Sequence, residues 1–344
     1  MTGRRTGATF MRAWMNRGLL ACLLWPVSLV FGLMLGLRIF LYRCGWLQRQ
    51  KLAVPVIVVG NIFVGGTGKT PLTIWLLKQL KQAGYQPAVI SRGYGSKHGV
   101  PVVVTEHAQA QDVGDEPILI AQRSNCPVVV GRSRVAAGRA LLTHFPEVDV
   151  IVADDGLQHY ALQRDMEIML FDARGVGNGW LLPAGPLREP ASRRRDITVA
   201  NLNQGEAIPA SLPSNTVRMQ LVGSSARQLM DDGRVNELAA FDSGLKIVAA
   251  AGIGNPERFF SMLRQQGVEF SALPLPDHFS YTDNPFEHLS ADIILITEKD
   301  AVKCRQIKDV AADPRLWVVA VEADIDNSML NTVLERLKQL SCIN

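Results

Sequence analysis

Cysteine is scarce: five in 344 residues, at Cys22, Cys44, Cys126, Cys304 and Cys342. No two stand at C-x-x-C or metal-ligand spacing and the number is odd, so free thiols in a reducing compartment are expected rather than disulfides or structural zinc. A surplus of one charge is lacking too. Lys+Arg 36 against Asp+Glu 32 leaves a net charge of only +4, which gives no ground for nucleic acid as a partner. The chain also lacks internal repeats and low-complexity tracts. With 47% hydrophobic and 20% charged residues it is no disordered tail, and its length suffices for two domains with sizeable cores.

What is present begins with one long apolar run. Residues 18–37, "GLLACLLWPVSLVFGLMLGL", carry no charge, about the ~20 residues a membrane-spanning helix needs. A secretory signal would require a small-residue cleavage site, and "LMLGLRIFLYR" offers none. A true span should show more basic residues on its cytoplasmic side. Here Arg4, Arg5, Arg12 and Arg17 before the run balance Arg38, Arg43, Arg49 and Lys51 after it. The favoured expectation is a helix or helical hairpin in the cytoplasmic leaflet, with Trp14, Trp25, Tyr42 and Trp46 at the interface and arginines on anionic headgroups. A helix buried in the domain is the alternative.

Beyond Arg49–Lys51 the texture is α/β. "AVPVIVVGN" reads as a buried parallel strand and "KTPLTIWLLKQLKQAG" as a helix ending at Gly84. Strands follow in "QPAVISRGYG", "CPVVVG", "VDVIVADDG", "EIMLFDA" and "RRRDITVAN", alternating with helices in "GDEPILIAQRS" and "RSRVAAGRALLTHF". Such alternation predicts a parallel sheet covered on both faces, with ligands at the carboxyl ends of its strands. A polar, proline-containing stretch at 203–216 reads as a linker. The expected organisation is an N-terminal membrane-associated helical segment (1–50), a P-loop NTPase-like α/β/α domain (51–203) and a second, smaller α/β domain (217–344).

The chemistry-bearing segment is "VGNIFVGGTGKTPL", between a strand and a helix. The strict phosphate-binding loop is G-x-x-x-x-G-K-[ST]. Counting back from Gly68, the first glycine should be residue 63, which is Phe63. The remaining parts are in place: permissive glycines at Gly65, Gly66 and Gly68, Lys69 for the terminal phosphates and the Thr70 hydroxyl for Mg2+. Asp154 and Asp155 end an apolar strand, where such enzymes place an acid for Mg2+ or its water. Asp115, in "GDEPIL", fits either a helix cap, which spacing alone favours, or a general base for a hydroxyl proton. His278 is a lone loop histidine, able to orient a carboxylate. Arg188, opening "REPASRRR", could stabilise charge on a transferred phosphoryl group. Ser91, Arg92 and Tyr94 stand at another strand end, where an anionic or sugar substrate could be held.

Together, "VPVIVVGNIFVGGTGKTP", "SRGYG", "VGDEP", "VIVADDGLQH", "LLPAGPLREP", "PDHF" and "ITEKDAVK" occur in one order behind a basic and apolar N-terminus. The chain thereby closely resembles the tetraacyldisaccharide 4'-kinases, lipid A biosynthesis enzymes of bacteria with an outer membrane, over roughly residues 14 to 325. The resemblance implies transfer of the ATP γ-phosphoryl group to the 4'-hydroxyl of a tetraacylated glucosamine disaccharide 1-phosphate, giving lipid IVA, at the cytoplasmic face of the inner membrane. It implies ATP and Mg2+ as cofactors, the lipid disaccharide and the membrane leaflet as partners, and no obligate protein partner. It also implies roles for residues. Asp115 is the base beside His278, with Lys69 and Asp155 completing the catalytic set. Gly65, Gly66, Thr67, Gly68, Lys69, Thr70 and Pro71 bind nucleotide together with Arg188. Thr70, Asp154, Asp155 and Glu189 hold the metal. Ser91, Arg92, Tyr94, Gln158 and His159 contact substrate. The family does not keep the strict first glycine, so Phe63 is no departure from it.

Other nucleotide-binding classes fit less well. A partitioning-type ATPase switch carries a lysine before the G-G of its loop, where this chain has Val64. A GTPase carries N-K-x-D, for which Thr297-Glu298-Lys299-Asp300 has its lysine misplaced. A P-loop ligase acting on a soluble acid would leave the apolar N-terminus without a purpose.

Overall fold

The computed structural model describes residues 13–93, 100–241 and 244–342. Strands β1 (Val56–Gly60), β2 (Pro87–Ser91), β4 (Val128–Val130), β5 (Val150–Asp154), β6 (Met166–Asp172), β7 (Ile197–Asn201) and β8 (Val217–Val222) run parallel. Antiparallel edges close the sheet: β3 (Val102–Val103) beside β4, and β15 (Glu322–Ile325) beside β8. The order is β15-β8-β7-β6-β1-β5-β2-β4-β3.

The central strands are buried throughout because both faces are covered. Successive side chains alternate between two cores. Ile57, Val59, Val89, Val150 and Val152 meet the helices Lys69–Gln82, Asp115–Ser124 and Asn327–Ser341 on one face. Val56, Val58, Ile90, Ile151 and Ala153 meet the helix Arg134–His144 on the other. Burying one such Leu or Ile contributes about 1.5–3 kcal/mol, which explains why unbroken Val/Ile runs mark these strands.

A second sheet has the order β10-β9-β14-β13-β11-β12. Its parallel part comprises β11 (Ile247–Ala251), β12 (Ser271–Pro274), β13 (Ile293–Thr297) and β14 (Leu316–Val319). The strands β9 (Ser225–Gln228) and β10 (Val235–Glu237) extend it antiparallel. It too has a core on each face, one around Phe259, Phe260 and Leu263, the other around Tyr281 and Phe286.

The unit expected at 217–344 needs correcting. β8, β15 and the helix Asn327–Ser341 belong to the first sheet and its core, so the second lobe is inserted between β8 and β15. The segment "LWVVAVEADI" holds two strands: β14 in the second sheet and β15 in the first, with Ala320 and Val321 as the crossing. The stretch 203–216 is not an interdomain linker either. It is the connection between β7 and β8, neighbours in the same sheet, and Arg218 ties it down through the Glu206 and Asn203 carbonyls. An apolar strand reveals its period in sequence but not which sheet edge it joins, and the β8–β15 pair joins residues far apart in the chain.

The apolar N-terminus forms a helix, Leu19–Arg43, of 25 residues and about 37 Å at 1.5 Å per residue. A narrow stripe docks on the protein. Ser28 Oγ donates to the Leu181 carbonyl and accepts from the Ala184 N–H, both at 2.9 Å. Trp25 packs on Trp180 and Tyr42 on Tyr160, and Gly32 lets Leu181 approach. Leu19, Leu23, Val27, Val30, Leu33, Met34, Leu37 and Phe40 stay exposed. The helix is therefore not a core helix of the domain. Arg4, Arg5 and Arg12 lie outside the described residues.

Candidate active site

The carboxyl ends of β1, β2 and β5 open into a cleft of about 600 Å³ between the two lobes. Its walls include the loop 64–71, Ser91, Arg92, Asp115, Asp154, Asp155 and Arg188 from the first lobe. Gly254, Arg258, His278 and Lys299 line it from the second. In the parallel register Val59 pairs with Asp154, so the loop and the acids leave the sheet at one level.

The loop's departure from the strict motif has a structural answer. Phe63 is buried, bridges to Leu187 and carries the Arg174 guanidinium 4.2 Å from its ring centre. The turn is held by Asn61. Its side-chain amide donates to the Phe63 carbonyl at 2.8 Å and the Gly65 carbonyl at 3.2 Å. Its Oδ1 accepts from Lys69 Nζ at 3.3 Å and from Arg188. A side chain thus does what backbone freedom does in the strict motif. Gly68 must remain glycine: φ is 97°, and a Cβ would run into the Asn201 amide, which donates to the Thr67 carbonyl at 2.9 Å.

The paired acids face different surroundings. Asp155 sits at φ 48°, left-handed backbone uncommon outside glycine and asparagine. Lys69 lies 3.7 Å and Arg188 3.3 Å from its Oδ1. Burial pushes the Asp155 carboxyl up, but Lys69 and Arg188 outweigh it and hold the group below the usual range. Asp154 is buried, accepts from Ser91 Oγ at 3.3 Å, and has no hydrogen-bond partner for Oδ1 among the described residues. Burial, then Glu116, push it up; Lys69 and Arg134 only partly oppose them. A buried, unpartnered carboxylate oxygen beside a phosphate loop fits a cation or its bound water, and a cation there would reverse the upward shift. Thr70, Asp154 and Asp155 thus suit Mg2+. Arg134, itself buried, fixes this strand end by donating to the Asp154 and Asp155 carbonyls at 3.2 and 3.4 Å.

Across the cleft, Asp115 opens the helix Asp115–Ser124 and is buried. Its Oδ1 accepts the Glu116 N–H at 2.9 Å. Its Oδ2 lies 3.2 Å from His278 Nδ1 and 3.4 Å from Lys303 Nζ. Burial raises its pKa, but the His278 hydrogen bond and the charges of Lys299 and Lys303 overcome this and hold it far below the usual carboxylate range. The hydrogen bond to Asp115 raises His278 in return, against burial and Lys299. His278 also has left-handed backbone, φ 58°. A capping role for Asp115 does not explain why two basic residues of the other lobe converge on it.

Not every expected residue meets the cleft. Glu189 is buried against Arg193 and receives Gln158 Nε2 at 3.0 Å; neither Glu189 nor Gln158 lines the cleft. This carboxylate is paired with the Arg193 guanidinium and stands outside the cleft lining where the expected metal ligands Thr70, Asp154 and Asp155 meet. The His159 ring accepts the Arg134 N–H at 3.3 Å. Burial and the charges of Arg134 and Arg164 push it down to about 4, so it is neutral and supports the acid-bearing strand end. Ser91 and Arg92 line the cleft; Tyr94 lies outside the described residues.

Sequence reasoning missed Asn61, Arg134, Lys303 and Arg258. Arg258 comes from the helix Pro256–Gln265 of the second lobe. It donates to the Thr67 carbonyl of the loop at 3.1 Å and pairs with buried Asp172 at 3.3 Å. No local signal marks it. Asn61 had one: it directly follows the strand whose loop lacks its first glycine.

The profile of the family described as "Tetraacyldisaccharide-1-P 4'-kinase" matches residues 20–339. A tetraacyldisaccharide 4'-kinase of Janthinobacterium sp. (strain Marseille) is 57% identical over 332 residues, 95% of each chain. Another, from Herminiimonas arsenicoxydans, is 56% identical over 341 residues, 96% of this chain and 95% of the relative. Among solved structures, the "apo" form of LpxK from Aquifex aeolicus in complex with ATP matches with a TM-score of 0.75 at 29% identity, covering 93% of this chain and 99% of that one.

Proposed function

The chain belongs to the tetraacyldisaccharide-1-P 4'-kinase family, and from that premise we propose how its residues divide the work. It is a lipid A 4'-kinase that uses ATP. The acceptor is the 4'-hydroxyl of a tetraacylated disaccharide 1-phosphate. The observation that carries the residue assignment is the meeting of the Lys69 loop and the Asp115–His278 pair in one cleft.

The backbone N–H groups of residues 65–70 cradle the ATP phosphates, and Lys69 leaves Asn61 to reach the terminal ones. Thr70 and Asp154, with Asp155 beside them, would hold Mg2+, which when bound neutralises charge on the phosphates. Arg188, anchored on Asn61 and Asp155, directs a guanidinium at the transferred group. As the 4'-oxygen bonds to the γ-phosphorus, Asp115 takes the hydroxyl proton and the bond from phosphorus to the ADP oxygen breaks. His278 orients the carboxylate. Because the pair keeps Asp115 ionised at neutral pH, the base is ready before substrate arrives. Ser91 and Arg92, which line the cleft, are assigned to the disaccharide.

The exposed apolar face of Leu19–Arg43 supports membrane association. We assign it to the cytoplasmic leaflet of the inner membrane, where ATP and a lipid acceptor meet; Arg38 and Arg43 would rest on anionic headgroups.

The direct test incubates purified protein with γ-labelled ATP and the acylated disaccharide 1-phosphate in detergent. Labelled lipid is expected. Hydrolysis of ATP with no labelled lipid would reject the kinase reading in favour of an ATPase switch.

A further inference from the structure

Lys303 stands on the helix Glu298–Cys304, which follows β13 in the second lobe. Its ammonium is buried and makes no hydrogen bond among the described residues, yet it lies 3.4 Å from Asp115 Oδ2 and 5.5 Å from the Tyr281 ring centre. Lys303 does not line the cleft, whereas Asp115 does. The lysine therefore reaches the carboxylate from behind, on the side away from any substrate.

Desolvating an ammonium is costly and persists only where its charge is used. The same helix also holds the histidine. Asp300 Oδ2 accepts from the Gly252 N–H at 3.0 Å and from Thr297 Oγ1 at 2.7 Å. The Gly252 carbonyl in turn accepts the His278 N–H at 3.1 Å. A helix N-cap needs only the Thr297 bond to the Asp300 N–H. The bond that the Gly252 N–H donates to Asp300 goes further: it fixes the residue whose carbonyl holds the His278 N–H.

We propose that Lys303 is a positioning residue for phosphoryl transfer, fixing the Asp115 carboxylate from behind the cleft while Asp300, one turn earlier, fixes the turn of His278. This rests on the reading of Asp115 as the base. The charged groups around Asp115 are His278 and Lys303 from the second lobe, Lys299 from the same helix as Lys303, and neighbouring Glu116. Glu116 is occupied by Lys299 at 2.9 Å, and Asp277 lies 3.9 Å from that lysine. Removing Lys303 leaves His278 as the one direct ion-pair partner of Asp115 among the described residues.

The experiment compares wild type with Lys303→Met, Lys303→Gln and Lys303→Arg in the full-length protein, reading kcat, KM for ATP and the pH dependence of kcat. For Met and Gln, kcat should fall ten- to a hundredfold with KM for ATP within about threefold. The acidic limb of the profile should move to higher pH, because a carboxylate that loses a cation protonates more readily. Arg, keeping the charge, should restore the position of the limb. The glutamine variant, polar and of similar reach, carries the test if methionine prevents folding. A folded neutral variant with wild-type kcat and an unmoved acidic limb overturns the proposal. So does lower stability with an unmoved limb, which would make Lys303 merely structural. If wild-type protein forms no phosphorylated lipid, the failure lies with the kinase reading. If Asp115→Ala keeps full turnover, it lies with the base assignment.

Discussion

Asp115 and His278 move each other's ionisation in opposite directions, and the signs have consequences. The raised His278 contributes stability that is complete below its ordinary value of about 6.5 and lost as pH rises through the folded value. The depressed Asp115 contributes stability complete above about 3.9 and lost only as pH falls toward its folded value. The pair is therefore whole between about pH 4 and 6.5, and its alkaline limit is set by the histidine. Asp115→Asn should shift the NMR titration of the His278 ring to lower pH and reduce kcat by about 10²–10⁴ with ATP affinity nearly unchanged. An unmoved titration would mean that the 3.2 Å contact carries no charge coupling. The sequence showed both residues but left Asp115 between cap and base. The convergence on its carboxylate of Lys303 and of His278, the latter 163 positions away, supports the proposed base role.

Among elements, the β1–loop–helix unit was the most legible. An unbroken "VIVVG" strand, three glycines and Lys-Thr at a helix start are local signals, and the structure keeps them in register. Its tightest point is Gly68. Gly68→Ala costs about 1–2 kcal/mol for the left-handed backbone alone, and the new methyl displaces Asn201 from the Thr67 carbonyl. ATP affinity measured by calorimetry should drop at least tenfold, with a lower thermal midpoint. Wild-type affinity would show that the loop can take another path. The helix Leu19–Arg43 behaves differently because few of its side chains meet the protein. Deleting residues 1–45 should abolish flotation with anionic vesicles while ATP binding survives. Loss of ATP binding and unfolding would instead mean that the stripe at Ser28 and Trp25 is needed by the fold.

For the whole molecule, the two lobes meet at the phosphate loop itself. A Cβ at Gly254 would stand 3.0 Å from the Gly66 nitrogen, and Arg258 ties the second lobe to the Thr67 carbonyl and Asp172. Arg174 keeps Asp172 paired when Arg258 is lost. Arg258→Ala should therefore destabilise by about 3 kcal/mol or somewhat less, at the lower edge for breaking a buried ion pair, and should reduce kcat/KM for ATP. Urea unfolding and steady-state kinetics check both. Full stability with full kcat/KM would make the tether dispensable.

The sequence by itself determined the α/β class, the phosphate loop, the acids at the strand ends and the apolar helix. Each is encoded in a few consecutive residues, through period, glycine placement or residue type next to a strand. Tertiary structure alone decided that β8, β15 and the terminal helix complete the first sheet, that Asn61 replaces the absent glycine, and that Glu189 is consumed by Arg193. It alone also brought Arg258 to the cleft and Lys303 behind Asp115. These depend on which surfaces meet after the second lobe is inserted, and pairing between distant segments leaves no local pattern to read.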